Sequence, residues 1–295
     1  YRRLFDYMVG VLIQRHIVVS DRDTICLSTD YRHTPAQELL ESAVRQLPDD
    51  HGEFLLLRYC LEAYPEILSG KSNALRVLYP KGNNDLIHQY VRDHHPLADS
   101  IQLVGKQAVA QYVNRMKNRP LKILEIGAGA GIFTQQVLPL LVGLDVEYYF
   151  TDISNGYLVD ARERFRKYPF VQYHVLDINE KPAIPLAGSM DLVIGLNVVH
   201  TVADVTMALR NIGDYLQKDG MLVLVEDVSD AVWTTLVWGL TDGWWTFHDV
   251  SLRHCSPLMS IEKWKKALSD SGYTDAVSLP SDQRLFPEVD NALIA

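Results

Sequence analysis

The residues ILEIGAGAGIFT (123–134) close an apolar run with an acid, Glu125, and three alternate glycines, Gly127, Gly129 and Gly131. A glycine-rich turn between a strand and a helix lets a ligand approach main-chain atoms at the start of that helix. The dinucleotide spacing GxGxxG would need glycine at position 132, which is Ile132. The pattern found, Glu-x-Gly-x-Gly-x-Gly, fits instead a ligand with an amino-acid end and a nucleoside end. Asp152, in FTDIS, follows about two dozen residues later at the predicted end of the next strand, where an acid accepts hydrogen bonds from both ribose hydroxyls. Asp177, in VLDI, ends the strand after that, within reach of an adenine amino group. Either acid by itself reads better as a helix cap or a solvated loop residue; three strand ends in register favour a site.

A second group of residues suits proton transfer. His200 stands at the end of DLVIGLNVVH and Glu226 at the end of MLVLVE. In a parallel sheet these are neighbouring strand ends opening on one crevice. A carboxylate beside a histidine favours the imidazolium, raises the ring's basicity and fixes its tautomer, which makes the pair a candidate general base. The residues alone leave a bland reading equally open: a histidine packed before a helix, with Glu226 and Asp227 capping the next segment.

The elements that would position these groups begin near residue 118. Predicted strands at 121–126, 146–151, 171–176, 190–196 and 221–226, with weaker ones near 274–279 and 291–295, alternate with helical patterns at 156–167 and 202–217. Such alternation predicts an α/β fold, a parallel sheet covered by helices on both faces. Thr201 and Asp204 read as a capping box for the helix at 202–217. Residues 1–117 read as a mostly helical N-terminal subdomain, with helices around 1–14, 35–47, 53–69 and 100–116 interrupted by Pro48, Pro65, Pro80, Pro96 and the turn PKGNND. The expected division is therefore 1–117 and 118–295. Four of the five tryptophans fall in WTTLVWGLTDGWWTF (233–247), a density that fits core, and in part a lid that excludes water.

The series LEIGAGAG, FTDIS, ARERFRKYPFVQYHVLDI, DLVIGLNVVH and GLTDGWWTF resembles the S-adenosylmethionine-dependent methyltransferase domains of polyketide synthases and hybrid synthetases. The resemblance covers about 118–295 strongly and LEAYPEILSGKSNALRVLYPKGN less specifically. It implies a class I methyltransferase core, a Rossmann-like sheet of seven strands with the last antiparallel, preceded by a helical lid subdomain. It implies Glu125, Gly127, Gly129 and Gly131 around the methionine end of the cofactor, Asp152 on its ribose, Asp177 on its adenine and Asn197 beside it. It also assigns His200 and Glu226 as the catalytic dyad. The acceptor it implies is an acyl chain held as a thioester on the phosphopantetheine arm of an acyl carrier protein, among neighbouring synthase domains. The expected reaction is C-methylation of the α-carbon of a β-ketoacyl thioester. Alternatives are O-methylation of a carrier-bound β-hydroxyl or enol, and a noncatalytic scaffold related to methyltransferases.

Charge and composition remove other classes. The net charge is −9; residues 1–117 carry 14 basic and 14 acidic side chains, and 118–295 carry 14 and 23. No basic face of the kind that nucleic acid requires is indicated. An acidic carrier protein would need a local cationic patch, for which Arg162, Arg164, Arg166 and Lys167, or Lys263, Lys265 and Lys266, are the candidates; each cluster reads equally as a solvated helix face. No apolar run is long enough to span a membrane and no leader is visible, so a cytoplasmic setting is expected. A first residue other than methionine suggests a domain cut from a longer chain. Cys26, Cys60 and Cys255 lack CxxC spacing and fit reduced thiols. No HExxH occurs and His94 and His95 are adjacent, so no metal is expected.

Overall fold

The computed structural model describes residues 1–21, 24–80, 85–87, 89–90, 100–182, 186–229, 231–281 and 291–295. Pro96, residues 81–84 of the expected PKGNND turn, and the His94–His95 pair lie outside the described residues. The N-terminal elements are α1 (Arg2–Gln14), β1 (Val18–Asp21), β2 (Thr24–Leu27), α2 (Ala36–Gln46), α3 (His51–Leu68), α4 (Ala74–Leu78) and α5 (Asp85–Ile87). Next come α6 (Ser100–Met116), β3 (Leu121–Ile126), α7 (Thr134–Val137), β4 (Val146–Asp152), α8 (Asn155–Arg164), β5 (Val171–Val175), β6 (Met190–Leu196), α9 (Val205–Gly213) and β7 (Leu216–Asp227). The chain ends with α10 (Val232–Trp238), α11 (Ile261–Asp270), β8 (Ser278–Leu279) and β9 (Asn291–Ile294).

The chain forms two compact units, Tyr1–Asp99 with Asp230–Trp245, and Ser100–Ser229 with Thr246–Ala295. The expected boundary at 117/118 therefore differs from the structural one on two counts. Helix α6 belongs with the sheet, because Ile101, Val109, Tyr112 and Val113 join the core containing Ile123, Val223 and Val225. Gly105 makes this approach possible: a Cβ there would lie 2.8 Å from Val225 Cγ2. The excursion 230–245 belongs with the N-terminal unit, because Val237 and Leu240 are buried with Leu4, Leu56, Cys60, Ile67 and Leu78. Within α3, Leu56, Cys60, Tyr64 and Ile67 recur three and four residues apart, so one helix face supplies that core. The hairpin β1–β2, paired antiparallel with Val18 opposite Leu27, is a non-helical element within the mostly helical region that the sequence predicts. Only Val18 of its eight residues is buried, so no in-out alternation announced it.

In the second unit seven strands are ordered β5-β4-β3-β6-β7-β9-β8. Strands β3 to β7 pair in parallel, and β9 runs antiparallel to both β7 and β8. Alternate residues feed opposite faces, as the strand period of two requires. Ile123, Leu192, Ile194, Val223 and Val225 pack on the face with α6, α7 and α8. Leu124, Ile126, Val193, Leu222 and Leu224 pack with α9 and α11. After β3 the chain winds through β4 and β5 to one side, then crosses to β6 and β7 on the other. The carboxyl ends of β3 and β6 thus flank a topological switch point, where open α/β sheets form their ligand crevice.

Candidate active site

The glycine turn leaves β3 at this switch point, and its three glycines exist for different reasons. All adopt left-handed backbone, with φ of 54°, 52° and 72° for Gly127, Gly129 and Gly131. A Cβ at Gly127 would lie 2.1 Å from Val198 Cγ2, and one at Gly131 would lie 2.6 Å from Phe165 Cε2. Both positions are closed by protein packing. A Cβ at Gly129 would meet nothing nearer than the Gly127 carbonyl oxygen at 3.9 Å. Gly129 alone faces open space, as backbone does where a ligand approaches it. The helix expected directly after the turn is short, since Thr134–Val137 passes at once into a 3₁₀ turn at Leu138–Leu141 with Pro139 as its second residue.

Asp152, at the end of β4, ties the turn down. Its Oδ2 accepts from the Gly129 N–H at 2.9 Å and its Oδ1 from the Ser154 N–H at 2.8 Å. The carboxylate keeps lone pairs beyond these two bonds. Asp177 lies just past β5, where its Oδ1 accepts from the Asn179 backbone and side-chain N–H groups at 2.9 and 2.7 Å. Strand order places these two acids on neighbouring strand ends. Asn197 follows β6 in left-handed backbone, φ 49°. Its side chain links the ends of β6 and β7: Oδ1 accepts from the Asp227 N–H at 2.9 Å, and Nδ2 donates to Asp227 Oδ1 at 3.3 Å.

Glu125 is buried beneath the turn, where its Oε2 accepts from Thr134 Oγ1 at 2.6 Å and from the Tyr148 hydroxyl at 2.5 Å. Burial pushes its carboxyl up to about 7, against the lowering effect of these two hydroxyl donors. It thereby joins β3, β4 and the helix after the glycines. Thr134 and Tyr148 carried no sequence signal, since their role depends on two elements meeting.

His200 and Glu226 meet as expected. The ring lies in a 3₁₀ turn, Val199–Thr201, and its Nδ1 is 2.6 Å from Glu226 Oε2. Both side chains are buried, at 8% and 0% exposure. The other carboxylate oxygen, Oε1, accepts from the Val198 and Val199 backbone N–H groups at 3.1 and 2.7 Å. Burial opposes charge on the ring, but the Glu226 carboxylate outweighs it with help from Asp227, and the ring's pKa ends above its ordinary value. The proposed capping box is corrected by this turn. Thr201 Oγ1 donates back to the Val198 carbonyl at 2.7 Å, and Asp204 alone caps α9 by accepting from the Met207 N–H at 2.8 Å. The tryptophan-rich stretch serves largely as core, with Trp233, Trp238 and Trp245 packed against the interior of the first unit.

A family model described as a methyltransferase domain matches residues 124–222. The citrinin polyketide synthase of Monascus ruber is 30% identical over 280 residues, covering 92% of this chain and 11% of that protein. Polyketide synthase ThaG of Burkholderia thailandensis is 36% identical over 231 residues, 76% of this chain and 4% of that protein. The chain thus spans about a tenth or less of the synthases it matches. Among solved structures, the citrinin synthase CMeT domain aligns at TM-score 0.82 with 28% identity, covering 99% of this chain and 77% of that chain. The DszA carbon methyltransferase aligns at TM-score 0.88 with 30% identity, covering 99% of this chain and 78% of that chain.

The chain belongs to the carbon methyltransferases of polyketide synthases. As such a methyltransferase it uses S-adenosylmethionine, and its residues fit that cofactor: an open-faced Gly129, an acid anchored on its N–H, and a second acid one strand away. A separate cleft, lined in part by Tyr112, Arg210, Lys218 and Tyr273, opens at the amino end of β7, the far end of the sheet from these residues. No helix among the described residues of the methyltransferase is long and apolar enough to cross a membrane.

Proposed function

We propose that this methyltransferase acts on the α-carbon of a β-ketoacyl thioester carried on the phosphopantetheine arm of an acyl carrier protein, with His200 as general base and Glu226 as its orienting partner. The observation that carries the reading is the buried His200–Glu226 contact at the carboxyl ends of adjacent parallel strands. Glu226, oriented by two backbone N–H groups, accepts a hydrogen bond from Nδ1–H and so presents Nε2 of the neutral ring as the proton acceptor. An α-carbon between two carbonyls is acidic enough for imidazole to deprotonate, giving an enolate whose charge spreads over both oxygens. When bound, S-adenosylmethionine supplies the electrophilic methyl group. Gly129 and Glu125 would bind its methionine end with Gly127 and Gly131 shaping the turn, Asp152 its ribose, Asp177 its adenine, and Asn197 would stand beside it.

The curated relatives are synthases many times longer than this chain, which supports carrier and neighbouring synthase domains as partners. The family resemblance assigns the N-terminal helices the role of a lid in the same reading. For an acidic carrier, the exposed α8 cluster offers Arg162, Arg164, Arg166 and Lys167. Arg166 already pairs with Glu163 at 2.6 Å, Arg164 donates to the Ala130 carbonyl, and Arg162 and Lys167 lie over tyrosine rings, so each member of the patch already has a partner within the protein. The deciding experiment incubates the protein and S-adenosylmethionine with β-keto- and β-hydroxyacyl carrier proteins and locates the added methyl by mass spectrometry. Methyl on the α-carbon of the β-keto substrate is expected; methyl only on oxygen of the β-hydroxy substrate would overturn the reading.

A further inference from the structure

The turn bearing His200 exposes four successive carbonyl groups, of His200, Thr201, Val202 and Ala203, and a short 3₁₀ turn cannot satisfy them internally. Three of the four accept from one side chain. Arg253 Nη1 donates to the His200 carbonyl at 2.7 Å, and Nη2 donates to those of Val202 and Ala203 at 2.9 and 3.1 Å. The guanidinium is fully buried, its Nε donates to Asp249 Oδ1 at 2.6 Å, and its face lies 5.2 Å from the Phe247 ring centroid. The other oxygen of Asp249 accepts from the Val205 N–H at 3.0 Å, the first residue of α9, and the His248 N–H adds a bond to the Ala203 carbonyl at 3.0 Å. The segment 246–253 therefore grips both ends of the loop joining the β6 turn to α9.

We propose that Arg253, locked by Asp249, is a positioning residue for proton removal: its planar fork holds the backbone of His200 to Ala203 so that the imidazole is presented in one orientation. The inference depends on His200 being the base. Burying a guanidinium is costly; here a charged, forked side chain is committed to the turn that carries the reacting ring. Lysine keeps the charge but offers a single point and cannot serve a carboxylate and three carbonyls in one plane. The charges around the ring are Glu226 and Asp227 from β7 and the Arg253–Asp249 pair from segment 246–253. Arg253 opposes the imidazolium and the two β7 acids favour it.

The test compares Arg253→Lys, Asp249→Asn and His200→Ala. Each is measured for thermal melting, S-adenosylmethionine affinity by calorimetry, turnover, and exchange of the α-hydrogen of a β-ketoacyl carrier substrate with deuterated water in the absence of cofactor. Arg253→Lys should keep cofactor Kd and substrate KM within about twofold while kcat and the exchange rate fall together by roughly 10- to 100-fold, the scale of a misplaced reacting group. Asp249→Asn, which frees the guanidinium from its carboxylate, should lose less, with kcat and the exchange rate again falling together while KM and cofactor Kd stay unchanged. A folded Arg253→Lys with wild-type kcat and exchange overturns the proposal. If that variant does not melt cooperatively, Asp249→Asn decides: unchanged kcat with an unchanged exchange rate overturns it equally. Wild-type turnover in His200→Ala would instead remove the base itself, an outcome distinct from an inactive His200→Ala beside an unaffected Arg253→Lys.

Discussion

At the scale of single residues, the geometry of the dyad sharpens what its variants should do. His200→Ala should bind S-adenosylmethionine normally and lose about two to four orders of magnitude in turnover, the usual contribution of a general base. Glu226→Gln should be nearly as damaging. The Val198 and Val199 N–H groups require an oxygen at one side of the residue, so the amide must turn its NH₂ toward Nδ1. The neutral ring must then carry its proton on Nε2, the tautomer that cannot accept one. Steady-state kinetics checks both, and the double variant should be little worse than either. The raised pKa of His200 means that the neutral, competent ring accumulates only above its ordinary value of 6.5, so the rising limb of kcat against pH should lie above 6.5. Glu125 gives a separate test on stability. Its folded pKa of about 7 exceeds the ordinary 4.5, so the native state binds the extra proton between those values and stability from this group is lost as pH rises through the window. Melting temperatures of the cofactor-free protein between pH 4.5 and 8 should show that decline, and Glu125→Gln should flatten it.

At the scale of elements, the strand–turn–helix unit separates packing from binding. Gly129→Ala meets no protein atom and should cost only left-handed strain, about 1 to 2 kcal/mol, yet abolish cofactor binding measured by calorimetry. Gly127→Ala and Gly131→Ala add collisions with Val198 and Phe165 to similar strain and should lower the melting temperature markedly further. Equal destabilisation in all three would contradict this division. The strands themselves were readable because each is a short apolar run bounded by turn residues, as LKILEI and MDLVIGL are. The helices' inner faces were readable from their spacing. The true cap of α9 was not, since Thr201 and Asp204 are equally good capping residues, and only the 3₁₀ turn that ends at Thr201 commits its hydroxyl to the Val198 carbonyl.

At the scale of the whole molecule, the first unit is discontinuous in sequence, and this has a direct consequence. Residues 1–99 alone leave Leu4, Leu56 and Ile67 without Val237 and Leu240, so that fragment should show helical far-ultraviolet signal but poorly dispersed amide resonances. Joining residues 231–245 to it through a flexible linker should restore dispersion; a well-ordered 1–99 fragment would contradict the composition of that core.

The sequence by itself determined the sheet, the glycine turn, the acids at successive strand ends and the His200–Glu226 candidates, because strand period, glycine spacing and strand-end position are local properties that a linear pattern carries. Which glycine faces a ligand, which acid is buried, and which segment belongs to which core were decided only by tertiary structure. Gly127, Gly129 and Gly131 are identical in sequence and differ only in what stands opposite them, Val198, open space and Phe165. The helix at 100–116 was visible, but its place with the sheet depended on Gly105 meeting Val225, more than a hundred residues away. Arg253 was silent for the same reason: its partners at 200–203 are about fifty residues distant, and nothing local to SLRHC marks a guanidinium that three carbonyls and a carboxylate will enclose.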